Sequence, residues 1–230
     1  MKSPGGHTSP PGGGATPPCR STFANLDREK QDRILRVAVE EFGDKGYARA
    51  SINAIVRKLG IAKGSIFQYF GDKEGLFRFV FDAATEMVKD YLRTVRDQTA
   101  DADLFTRLEA TLLAGNLFLR KHPVVYRLYL RTLLETQLPC REAALSALRS
   151  YSLKYLRSLL DDAAGRGELR EGLDIDAAAF LLDAAMDRFL QTRAVPHLDA
   201  GLGLYDCSEE TARRWIRQLV DALRRGIGGP

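Results

Sequence analysis

The chain has 230 residues, of which 45% are hydrophobic and 28% are charged, as is usual for a soluble globular protein. Its formal net charge of +4 permits a nucleic-acid partner without establishing one. No apolar run reaches the roughly 20 residues of a membrane helix, and the N-terminus lacks the apolar segment of a signal peptide. The sequence therefore predicts a cytoplasmic protein with no membrane partner.

The first part of the chain changes character near residue 22. Residues 1–22 are rich in glycine, proline and serine, so a disordered tail is predicted there. Ordered structure is expected to begin near Phe23. Residues 28–45 then carry apolar side chains at helical spacing, and Gly46 is expected to end this helix.

Two short helices joined by a tight turn are predicted between residues 51 and 71. Ser51 is placed to cap the first, and Gly60 can adopt the left-handed conformation that ends it. Lys63 to Phe70 form the second, and Asp72 can cap the helix that follows. The apolar face of the first short helix consists of Ile52, Ile55, Val56 and Leu59. This arrangement is typical of a helix-turn-helix, whose second helix enters the DNA major groove.

Positive charge is concentrated in the same segment. Residues 49–73 contain five basic residues and one acidic residue, a net charge of +4 that equals the net charge of the whole chain. A solvated helical hairpin would explain a few lysines. The charge together with the helix-turn-helix spacing favours a DNA-binding surface.

The rest of the chain has the period of a helix almost throughout. Helices are predicted over residues 72–98, 101–121, 124–135 and 139–164, from Asp174 to about Arg193, and from Ser208 onward. No strand pattern is present. We therefore predict an all-α fold of about nine helices, with a helix-turn-helix DNA-binding domain at 23–71 and a larger helical ligand-binding and dimerisation domain at 72–230.

Three features carry a resemblance to a known family. They are Phe42, Gly46 and Tyr47 at the end of the first helix, the turn IVRKLGIAKGS, and the run QYFGDKEGLF. With them, residues 33–77 resemble the DNA-binding domain of the tetracycline-repressor (TetR) family of bacterial transcription regulators. Beyond residue 80 the layout of helices is similar, but few residues match.

The resemblance implies a set of DNA-contacting residues on double-stranded, palindromic operator DNA: Ser51, Asn53, Lys63, Gly64, Ser65, Gln68, Tyr69 and Lys73. Physical chemistry agrees for several of them. Gln68 can bond adenine, Lys63 can donate to guanine, and Lys73 lies at a helix N-terminus that favours phosphate. Two departures stand out. Phe67 replaces the commoner tyrosine and is expected to pack, and Ala62 replaces a capping residue at a cost of about 1 kcal/mol.

The resemblance also implies a homodimer formed by the last two helices. The family pairs them into a four-helix bundle, and a palindromic operator requires a two-fold protein. The alternative is that their apolar stripes are buried within one chain. The residues predicted for the dimer interface are Phe180, Ala184, Phe189, Trp215, Ile216, Leu219 and Leu223.

The middle helices are predicted to enclose a small-molecule effector. Large apolar groups suit a cavity wall, although plain core packing is the better explanation for any one of them taken alone. Arg131 could meet an anion, or form a solvated stripe with Arg127 and Glu135. The predicted ligand-binding residues are Asn116, Phe118, Tyr126, Tyr129, Arg131, Tyr151, Tyr155 and Met186. An apolar ligand, such as an aromatic or acyl molecule, is favoured.

No catalytic motif is found in the sequence. It lacks a Ser/His/Asp arrangement and a phosphate-binding loop, and its cysteines and histidines are too scattered for a metal site. We therefore predict no enzyme activity, no cofactor and no metal. The leading hypothesis is a repressor released by its ligand. A DNA-binding dimer controlled by a protein partner, or acting architecturally, is the alternative, and a helical carrier or enzyme is disfavoured by the charged segment.

Overall fold

The computed structural model describes residues 21–229, and this part of the chain forms ten α-helices with one isolated antiparallel bridge between Leu169 and Gly228. The helices are α1 Ser21–Ala24, α2 Arg28–Arg49, α3 Ile52–Leu59, α4 Lys63–Phe70, α5 Lys73–Gln98, α6 Leu104–Lys121, α7 Pro123–Leu134, α8 Arg141–Gly165, α9 Ile175–Ala194 and α10 Glu209–Ile227. The predicted all-α class is confirmed. None of the described helices is long and apolar enough to cross a membrane.

The predicted N-terminal tail lies mostly outside the described residues. Its last two residues belong to α1, which begins at Ser21 rather than after residue 22. This short helix has a reason to form, because Phe23 is buried and its ring lies 4.9 Å from the ring of Phe79. The helix count of ten rather than about nine reflects this extra element.

Helix boundaries follow local side-chain capping. Ser51, Asp72, Asp174 and Ser208 each accept a hydrogen bond from a backbone N–H in the first turn of the helix they precede. Gly60 ends α3 with a φ of 68°, as predicted. The predicted caps at Ser51 and Asp72 therefore form, and Asp174 and Ser208 cap the helices predicted to start there, because each cap depends only on groups within three residues.

Gly46 interrupts α2 rather than ending it. Its φ of 74° and ψ of 169° are not helical, and the chain resumes a helical path to Arg49 after this kink. A side chain at this position would be strained at such a φ. The kink frees the backbone N–H groups of Tyr47 and Ala48 to bind elsewhere.

Two hydrophobic cores organise the described residues. The first joins α1–α4 to the N-terminal half of α5 and to α7, through buried residues that include Phe42, Ile66 and Leu128. The second is built from α6, α8, α9 and α10 around residues such as Leu112 and Leu182. Helix α7 thus contributes to the first core, although it begins some 50 residues after the end of α4.

Candidate DNA-binding surface and ligand cavity

One face of α4 is buried and the opposite face is open. Ile66 is fully buried in the first core, whereas Lys63, Gly64 and Gln68 are exposed. Asn53 is exposed at the start of the neighbouring helix α3. This open face carries the residue types that bond base edges in a major groove.

Lys73 is held at the edge of that surface. Its Nζ donates to the carbonyl oxygen of Ala48 at 3.2 Å and lies 4.8 Å from the centroid of the Tyr47 ring. Burial lowers the pKa of Lys73 below its ordinary value, while Glu135 and Glu41 oppose this shift. An ammonium has three donors, so two remain for a phosphate oxygen.

Tyr69 is fixed by aromatic neighbours. Its ring lies 5.9 Å from the ring of Phe23 and 6.0 Å from the ring of Phe70. Ser65 is half-buried on the same helix. A rigid ring holds the Tyr69 hydroxyl in place at little entropic cost.

One sequence interpretation changes at this surface, and one is confirmed. Phe67 does not pack into the core: it is 38% exposed, and the Nζ of Lys63 lies 5.8 Å from its ring centroid. It lies about 100° around α4 from the buried Ile66. Ser51 serves as a cap, since its Oγ accepts from the N–H of Ala54 at 3.3 Å. Its hydroxyl hydrogen remains free to donate to a phosphate.

The start of α4 has no side-chain cap. Ala62 makes no such bond, as its lack of a hydroxyl predicts. The first N–H groups of the helix are therefore open to another acceptor, and a DNA phosphate is one that helix N-termini commonly bind.

Helix α7 and its C-terminal capping residue bind the C-terminal end of α2 through hydrogen bonds. Arg131 donates from Nε to the carbonyl of Gly43 at 2.8 Å and from its terminal nitrogen to the carbonyl of Asp44 at 2.6 Å. Glu135 accepts from the N–H groups of Tyr47 at 2.8 Å and Ala48 at 2.5 Å. We call these four hydrogen bonds the α2–α7 clamp.

The clamp corrects the placement of Arg131. This residue lies outside the cavity described below, and it does not form a solvated stripe with Glu135, because both bind the backbone of α2. The helices also approach closely, since a Cβ on Gly43 would meet Val124 Cγ1 at 2.7 Å.

A cavity of about 210 Å³ lies between helices α5, α6, α7, α8 and α9. Its wall is mainly apolar and includes Phe81, Val88 and Leu190. Six of the residues predicted to bind ligand line it: Phe118, Tyr126, Tyr129, Tyr151, Tyr155 and Met186. Aromatic walls of this kind suit an apolar ligand.

Asn116 faces away from the cavity. Its Oδ1 accepts from Nε of the buried Arg193 at 3.0 Å, and its Nδ2 donates to Glu209 Oε2 at 3.1 Å. These bonds tie α6 to α9 and to the start of α10. The buried position of Asn116 was predicted correctly, but its side chain binds Arg193 and Glu209 rather than a ligand in the cavity.

The cavity wall also contains a charged group that was not predicted from the sequence. Arg149 donates to Asp183 at 3.2 Å and to Asp187 at 2.6 Å, and its guanidinium also bonds the Tyr129 hydroxyl. Ser152 donates to Asp183 at 2.5 Å. A signal was present: Asp183 and Asp187 are one helical turn apart, beside the apolar Met186.

The predicted dimer residues divide into two sets. Phe180 is 68% exposed and Ala184 is exposed, so both stand on an open face of α9 together with Leu181. Trp215 and Leu219 are partly buried against the second core. The remaining three belong to that core and cannot form an open face: Phe189, Ile216 and Leu223. Their stripe faces inward because α10 packs on α6.

Sequence comparisons agree with this geometry. Residues 34–80 match the family described as bacterial regulatory proteins, tetR family. The chain is 27% identical over 169 residues to a fatty acid metabolism regulator protein from Bacillus subtilis (strain 168), an alignment that covers 72% of this chain and 84% of that protein. The segment that matches the tetR family, residues 34–80, runs from α2 to the first turns of α5.

Solved structures share the fold. A TetR family transcriptional regulator from Chloroflexus aurantiacus J-10-FL is 29% identical, with a TM-score of 0.65 over 90% of this chain and 97% of that one. The regulator FadR from Bacillus subtilis in complex with stearoyl-CoA is 21% identical, with a TM-score of 0.66 over 85% and 98%. From its helix-turn-helix, its family match and these relatives, we conclude that residues 34–80 form a DNA-binding segment of the tetR family and that the chain is similar throughout to TetR-family transcriptional regulators.

Proposed function

We propose that the protein is a homodimeric repressor that binds a palindromic operator through two copies of α4 and leaves DNA when an apolar ligand fills the cavity. Residues 23–71 would act as the DNA-binding domain, and the helices after residue 72 would hold the ligand and the partner protomer. A palindrome requires two recognition helices about 34–36 Å apart. The open apolar face of α9, at Phe180, Leu181 and Ala184, is the surface that supports pairing.

The observation that carries this proposal is the double role of α7. One side of the helix lines the cavity with Tyr126 and Tyr129, and the same helix makes the α2–α7 clamp through Arg131 and Glu135. A ligand that prefers one position of α7 would therefore shift the position of α2 and of the surface around Lys73. A coupling free energy of about 1–3 kcal/mol is usual for such systems.

The alternative, control by a protein partner without a small molecule, leaves the cavity without a role. A lipid-like ligand is further supported by the relatives, one of which is called a fatty acid metabolism regulator and another of which was solved with stearoyl-CoA. Fluorescence anisotropy with the upstream intergenic DNA, in the presence and absence of candidate ligands, tests the release. Binding of a ligand in the cavity with no change in DNA affinity would contradict it.

Lys73→Ala is expected to weaken binding to every DNA sequence. Phosphate contacts position a protein without reading bases, so the salt dependence of log K should fall by about one per protomer. Anisotropy titrations at several salt concentrations measure this slope. Lys154→Ala removes an equally charged, exposed side chain from α8 and should leave the slope unchanged. An unaltered slope for Lys73→Ala would show that Lys73 does not contact a DNA phosphate.

Gln68→Ala is expected to relax the base preference at one symmetric pair of positions. A bidentate contact to adenine contributes about 1–3 kcal/mol of discrimination. Selection from random DNA, followed by sequencing, compares the motifs of the parent and the variant. Gln98→Ala, on an exposed position of α5, is the matched control. Identical motifs from all three proteins would show that Gln68 reads no base.

A further inference from the structure

The polar end of the cavity carries more negative than positive charge. Asp183 and Asp187 together face one cation, Arg149, and the three form a closed set of ion pairs on α8 and α9. Burial raises the pKa of Tyr129 and of Tyr126 above the ordinary value, so both hydroxyls stay neutral. With the aspartates ionised, the net charge at this end of the cavity is −1.

Three of the five N–H groups of Arg149 already have acceptors. Its terminal nitrogens donate to both aspartates and to the Tyr129 hydroxyl. A carboxylate on a ligand would have to share Arg149 with two carboxylates that already bind it. The side chains of Asp183 and Asp187 are only 16% and 20% exposed, so their charges repel a further carboxylate, and an anionic end group is disfavoured there.

Acceptors remain available on the carboxylates. An ionised carboxylate has about four acceptor positions. Asp183 uses two of them, for Arg149 at 3.2 Å and Ser152 at 2.5 Å. Asp187 accepts from Tyr129, Arg149 and Gln191. A donor group on a ligand would therefore find an unused lone pair, most readily on Asp183.

A second, independent feature points to a ligand at the same place. The hydroxyl of Tyr126 is buried, and it has no hydrogen-bond partner anywhere in residues 21–229. The residue is 8% exposed and lines the cavity, with its ring 5.6 Å from the ring of Tyr129. A buried hydroxyl without a partner costs free energy, and a polar group on a ligand would remove that cost.

The size of the cavity limits the ligand. At about 210 Å³ it is smaller than the roughly 300–1,000 Å³ that is usual for drug-sized ligands. A molecule with a short or medium apolar chain fits this space better than a long one.

We propose that the cavity selects an apolar molecule whose polar end donates hydrogen bonds and bears no negative charge, such as an alcohol or an amine, and rejects free carboxylic acids. Asp183 and Asp187 accept from that end group, and Arg149 holds the two carboxylates in position. This inference rests on the proposed ligand-binding role of the cavity and names the chemistry of its ligand.

Three matched eight-carbon probes test the selection: 1-octylamine, 1-octanol and octanoate. Isothermal titration calorimetry with the full chain at neutral pH measures their affinities. We expect octylamine and octanol to bind, and octanoate to bind at least about tenfold more weakly than octylamine, since hydrogen bonds to charged groups are the stronger ones and the carboxylates repel octanoate. Octanoate binding as tightly as octylamine, or no binding of any probe, would overturn the inference.

Substitutions of Asp183 and Asp187 test directly whether these carboxylates bind the end group of the ligand. Asp187→Asn is expected to weaken octylamine binding by about tenfold and to strengthen octanoate binding, because it removes one negative charge. Asp183→Asn should act in the same direction, and it provides a second variant should the first unfold. Asp161→Asn makes the same chemical change at an exposed position of α8 and should alter neither affinity. Unchanged octylamine affinity in both cavity variants would contradict the assignment.

A separate measurement tests whether ligand binding releases the protein from DNA. Anisotropy of the operator complex with saturating octylamine reports whether the occupied cavity weakens DNA binding. If the probes follow the expected order but DNA stays bound, the end-group chemistry holds and the proposed release mechanism fails. If octanoate releases DNA through the cavity and octylamine does not, the release mechanism holds and the end-group chemistry is wrong.

Discussion

Phe180→Asp is expected to give a folded monomer that has lost tight operator binding. The side chain is 68% exposed in the protomer, so an aspartate there costs the protomer little free energy of unfolding. In a dimer the same position would be covered, and an unpaired buried carboxylate would be strongly unfavourable. Losing the second half-site should reduce operator affinity on the order of 100-fold or more.

Light scattering after size exclusion, beside the anisotropy assay, measures both effects. Leu134→Asp is the matched control, because Leu134 is 81% exposed and lies on a different helix, at the end of α7. The control should remain dimeric. A Phe180→Asp dimer with normal operator affinity would show that α9 does not form the interface.

Gly75→Ala is expected to disrupt the packing of α4 against α5. A Cβ at residue 75 would lie 2.0 Å from the carbonyl oxygen of Phe70, a backbone atom that cannot turn aside. Either helix must then shift, and the free energy of unfolding should fall by about 3 kcal/mol or more, the upper end of overpacking costs. Because Phe70 ends the recognition helix, DNA affinity should fall as well.

Thermal unfolding followed by circular dichroism measures the loss. Gly64→Ala is the control within the same segment, since a Cβ there meets no atom within 4 Å. Alanine favours a helix over glycine by up to about 1 kcal/mol, so the control should be as stable as the parent or more stable. Equal melting temperatures for the parent and Gly75→Ala would contradict the close contact.

Local features of this chain were predictable from its sequence. The caps at Ser51 and Asp72 and the end of α3 at Gly60 depend on groups within a few residues, so a short pattern contains all the information they need. The helical period likewise located the core face of α3 and the buried positions of α10.

Contacts between distant segments were not predictable in the same way. Arg131 and Glu135 resembled a solvated stripe because their partners, the backbone groups of residues 43–48, are nearly 90 residues away. Asn116 was correctly expected to be buried, but nothing near it in sequence points to Arg193. The inward stripe of α10 was assigned to a dimer because periodicity shows that a face is apolar, not which surface covers it.

The kink at Gly46 has a consequence for how the molecule opens. Had α2 continued as a regular helix, the N–H groups of Tyr47 and Ala48 would have been used inside it, and Glu135 would have had nothing to accept from. The break therefore joins the end of α2 to Glu135, and we expect the amides of Tyr47 and Ala48 to exchange with solvent only when α7 separates from α2. Residues 23–71 would then unfold together with the cavity wall. A tightly bound ligand would protect amides near the DNA-binding surface, although the ligand itself never touches that surface.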